Sequence, residues 1–137
     1  MPHSQQAEGV DLFVEDIKIG HAGFLIRYEA ASKEHQDLTT LVEFRVVDPL
    51  GNELAVSGGS KENGNEDGFF EEGRVYGTRL FDAVDEQIKE LTIIPYLQIP
   101  KQGDWKETDS EGNWIDVDVS QFEGIDIKFD SFTVTLP

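Results

Sequence analysis

The sequence predicts an all-β chain, a β-sandwich of about 7–9 short antiparallel strands with little or no helix. Apolar residues recur at every second position, as in Val42, Phe44 and Val46 or Phe132, Val134 and Leu136, which is the period of a strand with one buried face. Turn chemistry breaks these runs at short intervals, as at Asp48-Pro49-Leu50-Gly51-Asn52 and Gly112-Asn113. The 137 residues and the 38% hydrophobic content suffice for one domain with its own core.

Residues 1–9, polar and small, read as a disordered lead-in, and residues 10–137 as a single domain. The first hairpin follows. Phe13, Ile17 and Ile19 share one parity, Phe24, Ile26 and Tyr28 share another, and Gly20-His21-Ala22-Gly23 turns the chain between them. Residues 38–57 read as a second hairpin, with Val42, Phe44 and Val46 before the Asp48–Asn52 turn and Leu54 and Val56 after it. The Gly- and Glu-rich stretch 58–73 reads as an acidic connection, and "RVYGTRLF" as the strand after it. One short helical turn fits 82–89. In "LTIIPYL", Leu91, Ile93 and Leu97 lie on one face and Ile94 and Tyr96 on the other, the signature of a central strand, although Pro95 donates nothing to a ladder. At the end of the chain, Ile115, Val117 and Val119 alternate with Asp116 and Asp118, and Ile125, Ile127 and Phe129 form a further apolar run. Phe132, Val134 and Leu136 continue on the opposite parity, so a bulge or turn is expected near Asp130-Ser131.

Charge narrows the function classes. With 28 acidic against 11 basic residues and a net charge of −17, the surface repels a phosphate backbone and an anionic membrane, so nucleic acid is not an expected partner. There is no cysteine, which removes disulfides, thiolate nucleophiles and thiolate zinc sites. No apolar run is long enough to span a bilayer, and "MPHSQQAEG" lacks a signal peptide's basic end and apolar middle. His3, His21 and His35 fall in the lead-in, a turn and a loop, and no HExxH, nucleophile elbow or phosphate-binding Gly loop occurs. Carboxylate pairs such as Glu71-Glu72 are too common in an acidic chain to mark a glycosidase. No enzyme activity and no cofactor is expected.

Two stretches invite a binding reading. In "KENGNEDGFFEE" (61–72), Asn63, Asn65 and Asp67 alternate ahead of Gly68, as hard oxygen ligands do in a calcium loop. An EF-hand is excluded because its twelfth position is Arg74, so the candidate is a looser cation site at Asn63, Asn65 and Asp67, with a solvated acidic connection as the alternative. In 103–118, "TDSEGN" is a hairpin turn, Asp116 and Asp118 are a possible cation pair on a wet strand face, and Trp105 and Trp114 are a possible platform for sugar rings.

Three features together resemble a known group: a first hairpin with small residues in its turn, a D-x-x-G-N turn leading to Ser-Gly-Gly (Asp48, Gly51, Asn52, Ser57, Gly58, Gly59), and an L-T-x-x-P strand (Leu91, Thr92, Pro95). The stretch 9–136 is similar to the uncharacterised immunoglobulin-like extracytoplasmic domains of Bacillus-type, membrane-anchored, anti-sigma-factor-like proteins. That resemblance implies an immunoglobulin-like sandwich, export to the bacterial cell surface behind an upstream membrane anchor, and a non-enzymatic sensing or protein-contact role with a protein partner. It implies no catalytic or ligand residues. The alternatives are a carbohydrate- or calcium-binding module and a small carboxylate-dependent hydrolase, and a cytoplasmic location is the alternative to export.

Overall fold

Strand follows strand along the chain, and the computed structural model describes residues 3–21, 23–34, 36–64, 72–122 and 128–136. Ten strands occur among them: β1 (His3–Ala7), β2 (Val10–Gly20), β3 (Gly23–Ser32), β4 (Val42–Val47), β5 (Val56–Asn63), β6 (Arg74–Phe81), β7 (Glu90–Leu97), β8 (Lys106–Thr108), β9 (Trp114–Asp116) and β10 (Phe132–Thr135). Among the described residues the helical content is limited to 3₁₀ turns at Gln36–Leu41 and Ser120–Phe122. A five-stranded sheet in the order β1-β2-β3-β6-β5 and a three-stranded sheet in the order β10-β7-β4 form the sandwich, and β8-β9 is a separate hairpin. All the pairings are antiparallel. The predicted β-sandwich is the observed fold.

The core lies between the two sheets. Val10, Leu12, Val14, Phe24, Ile26, Tyr28 and Phe81 come from the larger sheet and Val42, Phe44, Val46, Leu91 and Ile93 from the smaller. The connections add Leu38, Val119, Phe122 and Phe129. Tyr28 meets Phe44 edge to face at 4.8 Å, joining the two layers at their centre. β7 is the central strand of its sheet, with Pro95 opposite Phe44. β2 and β3 form the expected hairpin, closing at Gly20 opposite Gly23. A side chain at Gly23 would meet the Phe81 carbonyl at 2.1 Å, so this corner needs glycine.

Several expectations are corrected. The lead-in is not disordered: His3–Ala7 forms β1 on β2, from His3 opposite Val14 to Ala7 opposite Val10. Its polar sequence hides a strand held by backbone pairing, by Ala7 against the core, by the His3 ring on Phe132 and by a side-chain clamp. Gln5 Nε2 donates to the Asp130 carbonyl (2.9 Å) while the Asp130 N–H donates to Gln5 Oε1 (2.7 Å). This clamp sits where the parity change before β10 was expected, with Phe129 buried and Asp130 and Ser131 exposed. Phe13 does not share the core face. The register slips between Val14 and Asp16, so the extra residue Glu15 carries Ile17 and Ile19 onto the side of Val10, Leu12 and Val14, leaving Phe13 39% exposed on the other.

The second hairpin is not completed either. After the Asp48 turn the chain makes one bridge, Val47 to Glu53, then crosses to the other sheet, where Val56–Asn63 pairs with β6 as β5. Much of the supposed acidic connection is thus an edge strand. Residues 82–89 form no helix, only a turn in which the Ile88 N–H reaches the Asp85 carbonyl at 3.0 Å. Ile115 lies on β9, but the strand ends at Asp116, and Ile125 and Ile127 lie outside the described residues.

Glu43 clips the two sheets together. From β4 its carboxylate accepts from Arg79 Nε (2.7 Å) and Nη2 (2.9 Å) on β6 and from Lys61 Nζ (2.8 Å) on β5. Burial pushes its pKa up, but the hydrogen bonds and charges of Arg79 and Lys61 outweigh burial and hold it below its ordinary value.

Candidate functional site

The β8-β9 hairpin is the part of the chain that stands clear of the core. Its turn is set by one carboxylate: Asp109 Oδ1 accepts from the N–H groups of Glu111 and Asn113, both at 2.9 Å. The Asp109 N–H donates to the Asn113 carbonyl, and the Gly112 N–H to the Asp109 carbonyl. Gly112 takes φ of 84°, which glycine adopts without strain. The Asp48–Asn52 turn uses the same arrangement, with Asp48 Oδ1 accepting from Leu50 and Asn52 N–H and Gly51 at φ 87°. Asp-x-x-Gly-Asn is therefore a local folding unit used twice.

An isolated two-stranded hairpin is marginal in water, so its root is anchored. The Trp105 ring stacks on Phe122 (6.3 Å between centroids, 14° between planes), and Phe122 belongs to the core. The Gln102 side chain bonds the Val117 carbonyl (3.3 Å) and the Val119 N–H (3.4 Å). Beyond this root nothing covers the hairpin among the described residues: Trp114 is 72% and Ile115 49% exposed.

The ladder fixes which side each ring takes. Thr108 faces Trp114, Glu107 faces Ile115 and Lys106 faces Asp116, and the Val117 N–H continues the ladder to the Trp105 carbonyl at 2.9 Å. Paired residues share a face and neighbours alternate. Trp105 and Ile115 thus lie on one face and Trp114 on the other, so the two rings do not form one platform. Asp116 and Asp118, the possible cation pair, are each engaged elsewhere. Asp116 lies 3.7 Å from Lys106 Nζ, while Asp118 Oδ1 accepts from the Ser120 N–H at 2.9 Å, which holds its carboxyl below the usual range.

Of the cation candidates, Asn63 ends β5 opposite Val75, and Asn65 and Asp67 lie outside the described residues. No group of three His, Cys, Asp or Glu side chains placed to hold a metal occurs among the described residues. A cavity of about 350 Å³ beside the β1-β2 turn is lined by Asp11, Glu34 and Glu72 together with Lys33 and Arg74. It is concave and carries carboxylates, which the hydrolase alternative requires, but Arg74 Nη1 is held by Glu29 at 2.9 Å.

A model of a family of unknown function, DUF5643, matches residues 1–136. The chain belongs to the DUF5643 family. No curated protein matches it. Among solved structures, this DUF5643 chain is similar to "the conserved domain protein from Bacillus anthracis", with 19% identity and a TM-score of 0.58 over 100% of this chain and 47% of that one. The likeness is one of fold, and the chain spans about half the length of that protein.

The sequence reading took Trp105 and Trp114 as a possible pair and did not single out Ile115, which is 49% exposed on the Trp105 face. The signal was available in "TDSEGN", because a turn closing Thr108 onto Trp114 puts 105 and 114 on opposite faces.

Proposed function

We propose that this DUF5643 chain is a non-enzymatic protein-interaction domain of immunoglobulin-like type, the exported sensor module of a membrane-anchored bacterial regulator, and that it contacts its partner through the β8-β9 hairpin. The observation that carries this reading is Trp114, a ring 72% exposed on a hairpin whose root is anchored and whose tip has no cover among the described residues. Tryptophan is among the side chains whose burial most often dominates a protein interface, because it brings a large apolar area and one N–H donor to the contact. The net charge of −17 favours a basic partner surface. Export and anchoring rest on the resemblance in the first hairpin, the Asp48–Asn52 turn and the Leu91–Pro95 strand.

The reading is tested by competition on intact cells carrying the anchored parent. Purified domain added from outside should displace the anchored copy from its partner and change the regulator's transcriptional output, and the Trp114→Ala domain should not. Equal effects of the two domains, or none from either, would refute the proposal.

A further inference from the structure

The two sheets do not close on each other along one side. β1 accompanies β2 only as far as His3 opposite Val14, whereas β2 continues to Gly20 with its other edge paired to β3 throughout. Among the described residues, the backbone of 16–20 therefore has a ladder partner on one side alone. Across the gap, β10 is the edge of the smaller sheet. Between these edges lies a cavity of about 360 Å³ lined by His3, Ile17, Ile19, Phe132 and Val134. Ile17 and Ile19 face it because the bulge at Glu15 turns them inward. Ile19, 42% exposed, also borders a second cavity with Val84, Ile88 and Leu136.

β1 shows how a strand closes this gap. Its alternate side chains reach across to the other sheet: Gln5 clamps the Asp130 backbone, and the His3 ring stacks on Phe132 at 3.9 Å and 17°. Further along the same line, the opening at Ile17 and Ile19 offers two complementary things, a strand edge unpaired among the described residues and an apolar trough whose walls repeat with the period of a strand. An unpaired edge is a template for main-chain hydrogen bonding, and pockets for alternate side chains then supply selectivity.

We propose that this edge accepts an extended segment of a partner protein, laid along residues 16–20 of β2, with apolar side chains at alternate positions between Ile17, Ile19 and Phe132, Val134 and with Lys or Arg on its outward face. Charge selects this occupant. A second copy would bring another −17 to the same place, and like charges oppose such docking. Near the opening, Asp85 and Glu86 line the second cavity beside Lys89, and Lys18, the cation of residues 16–20, is drawn to Asp16 at 3.7 Å. The site is separate from the β8-β9 hairpin and does not depend on it.

The test uses a blocked hexapeptide of alternating Lys and Val, its Glu-Val counterpart, and amide hydrogen exchange read residue by residue at low salt. The Lys-Val peptide should bind saturably and slow exchange of amides within 16–20 by at least about tenfold, as new ladder bonds do. The substitutions Ile19→Ser and Val134→Thr, at positions that are not fully buried, should each weaken binding by roughly tenfold with the thermal transition retained. The proposal is overturned if these amides are unaffected, if the β4 or β5 edges are protected instead, or if both variants bind as the original does. Equal binding of the Glu-Val peptide would overturn the assignment of a basic partner.

Discussion

Replacing Glu43 by Gln should destabilise the domain by about 2–3 kcal/mol at pH 7, and that cost should disappear in acid. The carboxylate receives hydrogen bonds from Arg79 Nε, Arg79 Nη2 and Lys61 Nζ at 2.7, 2.9 and 2.8 Å. Its side chain is 18% exposed and those of Arg79 and Lys61 are 13% and 26% exposed, so water screens the cluster only in part. Gln keeps the shape but removes the negative charge, leaving two cations held side by side. Charge-assisted bonds contribute about 1.5–3 kcal/mol net, and stripping one partner from a fully buried pair costs about 3–5 kcal/mol; partial exposure places this cluster toward the lower figures. The pH dependence follows from the lowered pKa of Glu43. A carboxyl whose folded pKa is depressed contributes stability that is fully present above its unfolded value and is lost as pH falls through the folded value. Urea unfolding of both proteins should therefore show a gap that is constant above about pH 5 and closes below about pH 4. A gap that stays the same down to pH 2.5, or no gap at pH 7, would refute this account of the clip.

Three other perturbations have defined outcomes. Gly77→Ala places a methyl 2.7 Å from Cζ and Oη of Tyr28, and since Tyr28 is fully buried and packed on Phe44, overpacking should cost about 1–3 kcal/mol in urea melts. Tyr28→Phe should leave stability unchanged or raise it by about 1 kcal/mol, because the buried hydroxyl has no hydrogen-bond partner among the described residues; the same burial pushes the Tyr28 pKa up to about 12, so spectrophotometric titration should show one tyrosine ionising late. Asp109→Ala removes the acceptor for two turn N–H groups and should speed amide exchange across Lys106–Asp116 while leaving the global melt within about 0.5 kcal/mol.

How far these features were legible depends on what each strand buries. β3, β4 and β10 turn one face toward the core and the alternation of apolar residues announces them, whereas β7 shows as a run apolar on both faces and β6 places Gly77 and Arg79 among its inward positions. β1 and β5 are edge strands. Nearly every residue of β5 is exposed, so Ser-Gly-Gly-Ser-Lys-Glu carries no periodic signal and reads as a connection. Alternation also misled where the ladder is irregular: the bulge at Glu15 reverses parity, which assigned Phe13 to the core in place of Leu12. In the hairpin, the turn at Asp109 was readable from its residue types, and the opposite placement of Trp105 and Trp114 follows once that turn is taken to close Thr108 onto Trp114, the register the ladder shows. Glu43 gave no sign at all, because its partners lie 18 and 36 residues away on another sheet. Membership of the DUF5643 family accords with the resemblance only at the level of an uncharacterised domain of this fold.

The central claim is that Trp114 on the β8-β9 hairpin meets a protein partner, and site-specific photo-crosslinking in the host tests it most directly. A photoreactive phenylalanine analogue at position 114 of the protein in its host should capture one defined protein. The same analogue at exposed Lys33, which lines the cavity beside the β1-β2 turn, should not capture it. No specific adduct at 114, or the same adduct at 33, would contradict the account.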